Sequence, residues 1–183
     1  MRKGPNHLNF FDCVVVDGAA AVHFLSPSSG QKTFHDYAKK QFIPYIEPLL
    51  QTCDRVDVVF DQYLPNSLKS ALREKRGSGV RYKVQTKVKL PRKWADFLFV
   101  DENKSELFQY LASETSQHKF RENKQIVITK GAEVLTVNSH KMSDCTHEEA
   151  DSRLFLHIME ALEEGNNCIM IQTVDTDLHG KIP

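Results

Sequence analysis

The strongest constraint on this chain is a repeated pairing, in which a short, β-branched apolar run ends on an acid. Phe11-Asp12-Cys13-Val14-Val15-Val16 stops at Asp17-Gly18, and Val56-Asp57-Val58-Val59-Phe60 stops at Asp61. Cys168-Ile169-Met170-Ile171 runs out toward Asp175, with Asp177 two residues on. Nearly continuous apolar runs of this length read as strands buried on both faces.

Helical stretches separate these strands. One covers about 33–50, where Pro44 and Pro48 are expected to break or kink it. Leu68 to Arg76 is a second, ended by Gly77-Ser78-Gly79, and Asp101 to Gln117 a third, capped by Asp101 or Asn103. Thr146-His147-Glu148-Glu149 has the form of a capping box and opens the best helix of the chain. Its expected inward stripe is Ala150, Leu154, Phe155, Ile158, Met159 and Leu162, with Gly165 as the stop. Gln125–Thr129 and Glu133–Val137 flank Lys130-Gly131-Ala132 as a hairpin. Strands alternating with helices predict an α/β fold, a three-layer α/β/α arrangement around a mostly parallel sheet. With 183 residues the chain has room for one such domain, 1–183, and not for two.

The composition excludes several classes. At 40% hydrophobic and 26% charged residues the chain is ordinary for a globular domain. No apolar run approaches the roughly 20 residues of a membrane span. The start, Met1-Arg2-Lys3-Gly4-Pro5-Asn6, leads into an apolar stretch interrupted by Asp12, unlike a secretory signal. An intracellular protein, nuclear or cytoplasmic, with no membrane partner is therefore expected. Cys13, Cys53, Cys145 and Cys168 form no CxxC pair, and His140, Cys145 and His147 lack the paired spacing of a zinc site. Asn103-Lys104-Ser105 fits a glycosylation acceptor, a coincidence in a protein without a secretory signal.

The net charge of zero hides an asymmetry: Lys69 to Lys93 holds ten Lys or Arg and one acid, Glu74, for a charge of +9. The rest of the chain carries −9. Within the basic stretch, Val80 to Leu90 alternates apolar and basic residues, as a strand or a segment that orders on a ligand would. A polyanion is the natural partner of such a stretch.

The acids at strand ends carry the chemistry. In a parallel sheet all strands share a direction, so Asp17, Asp61, Asp175 and Asp177 gather on one edge, where open α/β sheets bind ligands. Glu149 and Asp151, in the first turn of the helix entering the last strand, can face the same point. Carboxylates brought this close repel unless a hard cation such as Mg²⁺ sits among them. A lone Asp after a strand is ordinarily a turn residue or a cap, and Glu149 has a capping role open to it. The recurrence of acids at strand ends, beside a basic arm, favours a metal site.

The ordered set Val-Asp-Gly (Asp17), Phe-Asp (Asp61), Glu-x-Asp (Glu149, Asp151) and Asp-x-Asp (Asp175, Asp177) resembles the PIN-like nuclease superfamily, in particular the branch of flap endonucleases and five-prime exoribonucleases. The resemblance runs from Asp17 to Asp177. It implies a Rossmann-like, PIN-like fold and hydrolysis of phosphodiester bonds in DNA or RNA with Mg²⁺ or Mn²⁺, two ions about 4 Å apart held by the six carboxylates. Phe60-Asp61-Gln62-Tyr63-Leu64-Pro65, then Leu68-Lys69-Ser70 and Lys75-Arg76, is similar to the segment leading into the helical arch of flap endonucleases. That similarity marks 66–93 as an arch-like basic segment and implies that Lys69 and Arg76 meet the scissile phosphate. Arg73, Lys75, Arg81 and Lys83, with Lys87, Lys89, Arg92 and Lys93, would then grip the nucleic-acid backbone; Tyr82 and Trp94 either stack on bases or belong to the core.

Two departures accompany the likeness. Gln62 stands where the family has Gly, and the family continues past Pro183 with another strand, helices and a last metal-binding acid, so an incomplete C-terminus is expected. That departure keeps a second reading open, a catalytically weak or inactive nucleic-acid-binding module. A third, an Mn²⁺-dependent nucleotide-sugar transferase built on Asp175-x-Asp177, would need more chain after that pair.

Overall fold

A computed structural model describes residues 11–62, 79–139 and 150–173, together with the backbone of 181–182; for Ala150 and Asp151 it describes the backbone alone. The described elements are β1 (Cys13–Asp17), α1 (Gly18–Phe24), α2 (Phe34–Tyr37), a π-helical turn (Ala38–Phe42), α3 (Ile43–Thr52) and β2 (Arg55–Val59). They continue with α4 (Trp94–Leu98), α5 (Asp101–Ser116), β3 (Gln125–Lys130), β4 (Glu133–Val137), α6 (Ala150–Glu163), β5 (Ile169–Gln172) and β6 (Lys181–Ile182). The expected helix at 68–76 and the capping box at 146–149 lie outside the described residues.

The strands form one mixed sheet in the order β4-β3-β2-β1-β5-β6. β3, β2, β1 and β5 are mutually parallel, and β4 and β6 pair antiparallel at the two edges. A mostly parallel α/β sheet was expected from the alternation of elements, and β6 was not. The chain winds from β1 outward to β2, β3 and β4, then crosses to the other side of β1 to make β5. The strand order reverses beside β1.

Both faces of the sheet are covered. Val14, Val16, Val56, Val58, Ile126 and Ile128 join the large cluster that holds Phe34, Tyr37, Phe42, Leu107 and Leu111 from the helices. The alternate residues Cys13, Val15 and Val59 join Leu154, Ile158 and Ala161 of α6 in a separate cluster. Since neighbouring residues of a strand point to opposite faces, these are two layers of core with the sheet between them.

Three local features depart from the sequence expectation. The prolines do not break the first long helix. The chain instead widens into the π-helical turn, where Ile43 N–H reaches back to Ala38 O, and Pro44 enters α3 at its first positions. Proline has no N–H and its ring crowds the carbonyl four residues back, and a wider turn relieves both. Pro48 lies inside α3 without ending it.

The N-cap of α5 is Val100, with no side-chain cap; Asp101 and Glu102 are first-turn acids favourable to the helix dipole, and Asp101 pairs with Lys104 at 2.9 Å. Asn103 is fully buried and otherwise engaged, as described below. Its amide is thus inaccessible to any glycan.

The inward stripe of α6 is rotated. Leu154, Ile158 and Ala161 face inward, but so do Arg153 and His157, both fully buried, while Phe155 is 62% and Met159 43% exposed. The cause lies in β2, whose Arg55 and Asp57 point at α6 and are themselves fully buried. Arg55 makes a bidentate pair with Asp57 (Nε–Oδ1 2.6 Å, Nη2–Oδ2 2.8 Å) and also reaches Glu160 (2.5 Å) and Glu164 (2.8 Å). His157 Nδ1 lies 2.8 Å from Asp57 Oδ2. Charges removed from water must be paired, and α6 turns its polar side inward to pair them.

The hairpin of β3 and β4 turns at Gly131, whose φ of +61° favours glycine, and Gly165 ends α6 at φ +89°. Gly18 has a different role: a Cβ there would come 2.6 Å from the Phe60 ring. Phe60 is held in turn against Phe108 (centroids 4.5 Å) and Phe42 (6.0 Å).

Candidate metal centre at the carboxyl edge of the sheet

Asp17 is the last residue of β1, beside the reversal of strand order. Its carboxylate caps α1, accepting from Ala20 N at 2.9 Å through Oδ1. Oδ2 accepts from Thr173 Oγ1 at 3.4 Å. β5 runs parallel to β1 with Val16 opposite Gln172, so Thr173 is the first residue past β5 and lies next to Asp17. Asp61 follows β2 by two residues, and Val59 of β2 is in register with Asp17.

The charge of Asp61 acts on Asp17. Burial raises the Asp17 carboxyl above its ordinary value, and the nearby charge of Asp61 raises it further, against the Ala20 and Ala19 amides and Thr173. Like charges held together at a half-buried edge are the electrostatic situation a cation relieves.

Three residues that the sequence did not single out border the pair. His23, in the last turn of α1, is lowered by loss of solvent and by Lys104, while Asp17 and Asp61 pull it upward. Tyr45 is raised by burial and by Asp17. Thr173 touches Asp17 directly. Their sequence signals are ordinary, a lone His, Tyr and Thr; His23 lies in the helix that Asp17 caps, while Tyr45 and Thr173 reach this edge from elements distant in the chain.

Of the six expected ligands, Asp17 and Asp61 are described, near enough for the charge of Asp61 to act on Asp17, while Glu149, Asp175 and Asp177 lie outside the described residues. For Asp151 the backbone is placed, in the first turn of α6. That turn lies at the same end of the sheet, because Arg153 Nη2 donates to Gly131 O (2.6 Å) at the end of β3 while Glu164 reaches Arg55 at the start of β2. Among the described residues no group of three His, Cys, Asp or Glu side chains is arranged to hold a metal ion. His140, Cys145 and His147 also lie outside them.

The basic stretch is described from Gly79 onward; Lys69, Arg73, Lys75 and Arg76 lie outside. Val80 to Leu90 forms neither a sheet strand nor an unattached loop, but an irregular strap with one bridge, Lys89 to Thr33. Its polar backbone is met by α5. Asn103 Oδ1 accepts from Tyr82 N (2.8 Å), Asn103 Nδ2 donates to Val80 O (2.9 Å) and Phe97 O (3.1 Å), and Glu106 accepts from Val84 N (2.9 Å). The alternating apolar residues Tyr82, Val84, Val88 and Leu90 pack against the large core cluster. That packing explains the alternation without a neighbouring strand.

Among the described phosphate candidates, Arg81 and Lys83 differ. Arg81 is bound to Glu106 at 2.6 Å and to Asn103 Oδ1 at 3.2 Å, so part of its charge is spent within the protein. Lys83 is exposed. Trp94 belongs to the core, 9% exposed, with its indole N–H donating to Val22 O and its ring stacked on Phe97 at 5.0 Å. Tyr82 meets Phe97 edge-on at 5.6 Å. No helix among the described residues is long and apolar enough to cross a membrane.

No family model, curated protein or solved structure matches the chain.

Proposed function

We propose that the chain is a divalent-metal-dependent nuclease of the PIN-like kind, acting on phosphodiester bonds of DNA or RNA. The observation that carries this reading is the placement of Asp17 at the end of β1, beside the strand-order reversal, with Asp61 two residues past the parallel, in-register β2. Mg²⁺ or Mn²⁺ fits that donor set: hard carboxylate oxygens, few in number, which leave coordination positions to waters and a phosphate. When bound, such ions supply water activation and charge neutralisation at the leaving oxygen.

The chain's own residues have distinct duties in this reading. Asp17 and Asp61 hold the cation, with Asp151, Glu149, Asp175 and Asp177 as further ligands. The Ala20 amide and Thr173 hydroxyl fix the rotamer of Asp17, so its free lone pairs keep one direction. Lys69, Arg73, Lys75 and Arg76, with Arg81 and Lys83, attract the nucleic-acid backbone and confer salt-dependent affinity with little sequence preference.

Incubation of the chain with labelled single-stranded and flapped DNA and RNA tests the reading. Cutting that requires Mg²⁺ or Mn²⁺, stops with EDTA and disappears in Asp17→Asn or Asp175→Asn is the expected result. Binding without cutting by the unaltered chain, on every substrate and with either metal, would replace the nuclease by a non-catalytic binding module.

A further inference from the structure

An open groove of about 760 Å³ lies beside the strap, away from the acid pair. It is within the roughly 300–1,000 Å³ range of ligand sites. Its floor is apolar and partly aromatic, formed by Val80, Tyr82, Leu90, Phe97 and Phe99. Phe99 and Val80 are 55% and 71% exposed, unusual for such residues unless they meet something. Lys89, Arg92 and Lys93 stand on its rim against one acid, Asp96. The Lys93–Asp96 contact is long, 3.6 Å, and highly exposed at both ends, so it neutralises little.

We propose that this groove seats unpaired nucleotides of a nucleic-acid strand, with a base against Phe99 and Val80 and the flanking phosphates on Lys89, Arg92 and Lys93. This deepens the nuclease reading, since it takes nucleic acid as the ligand and adds where an unpaired strand is seated. Two features favour it over an acidic peptide. The cations do not stop at the groove: Lys83 and Lys87 continue them, exposed, along the same strap. A line of like charges suits a polyanion with evenly repeated charge. The groove also offers an exposed aromatic ring, and every base has a face to stack on it. A paired base keeps its face within the duplex and is excluded. The strap is held to α5 by Asn103 and Glu106, so the groove is formed before the ligand arrives.

The test is fluorescence anisotropy of the full chain with a labelled 12-nucleotide oligo-dT, an oligo-U and a 12-base-pair duplex, all in EDTA, so that neither cutting nor a metal contributes. The single strands are expected to bind more tightly than the duplex. Phe99→Ser is expected to weaken their binding about tenfold or more, the effect of losing one base–aromatic stack. Combined Lys89→Gln, Arg92→Gln and Lys93→Gln should flatten the slope of log affinity against log salt by about two, at roughly 0.7 per phosphate contact. Val80→Ser, at the most exposed floor position, serves as a second reading should Phe99→Ser unfold. Unchanged single-strand affinity in a folded Phe99→Ser, or in Val80→Ser where Phe99→Ser unfolds, overturns the base seat whatever the cations do. A preference for duplex also overturns it. Polyglutamate bound as tightly as oligo-dT would assign the groove to an acidic protein instead. Because cutting is absent from this assay, failure of the nuclease reading with binding retained leaves the groove standing, and the converse result removes the groove alone.

Discussion

Asn103, three residues into α5, holds the backbone of Tyr82: its Oδ1 accepts from Tyr82 N at 2.8 Å, while its amide nitrogen donates to Val80 O and Phe97 O. One buried side chain thus satisfies two backbone groups of an irregular strap, the task a neighbouring strand would do in a sheet, and ties them to the Phe97 carbonyl of α4. Asn103→Ala strands those groups. The expected cost is about 1–3 kcal/mol, read from urea unfolding, together with faster amide exchange at Tyr82. Unchanged stability and exchange would show that the strap is held by its apolar side chains alone.

Gly18 is required by its approach to Phe60. In Gly18→Ala the new methyl lies 2.6 Å from a ring fixed on both sides by Phe42 and Phe108. Overpacking of this kind costs about 1–3 kcal/mol. The urea midpoint should fall accordingly; an unchanged midpoint would mean that the aromatic stack gives way freely.

The buried Arg55–Asp57 pair links stability to pH. Burial is the largest influence on the Asp57 carboxyl and pushes it up, but the Arg55 guanidinium and the His157 ring outweigh it and hold it below the usual carboxylate range. A folded value below the unfolded one, about 3.9, means the stabilisation is present above that pH and is lost as pH falls through the folded value. Acid titration of the melting temperature should show this loss. Asp57→Ala, which removes the carboxylate that Arg55 and His157 share while Glu160 and Glu164 still pair Arg55, should cost about 1–3 kcal/mol at neutral pH and remove that part of the acid transition. An acid transition identical in the variant would contradict the linkage.

The strand-end pattern was legible because it depends on neighbours in sequence. Two β-branched runs stopping on Asp17 and Asp61 marked β1, β2 and the edge to which both point, and Lys130-Gly131-Ala132 marked the hairpin. The rotation of α6 was not legible: it depends on Arg55 and Asp57 facing the helix from a strand about a hundred residues earlier in the chain. Nor was the strap, since its alternation mimics a strand while its backbone partners, Asn103 and Glu106, belong to a later helix. Thr173 and Tyr45 reach Asp17 only through the fold, from elements distant in the chain.

Asp17→Asn separates charge from shape. Asparagine caps a helix about as well as aspartate, so the bond from Ala20 N survives. Because burial and Asp61 raise the Asp17 carboxyl in the folded state, its ionisation costs stability as pH rises through the folded value. In EDTA at pH 7 to 8 the variant should therefore melt at the same temperature as the unaltered chain or a few degrees higher. A lower melting temperature would show that the charge itself is stabilising, contrary to the repulsion inferred at this edge.

The most direct test of the metal centre is Mn²⁺ binding, followed by calorimetry and by the loss of the free-ion electron paramagnetic resonance signal, in the unaltered chain, Asp17→Asn and Asp61→Asn. The expected result is saturable binding that weakens by at least about tenfold in each variant, the loss that even supporting residues of metal sites cause, with both variants still folded. Equal Mn²⁺ affinity in all three proteins, or none in the unaltered chain, would contradict a metal centre on Asp17 and Asp61.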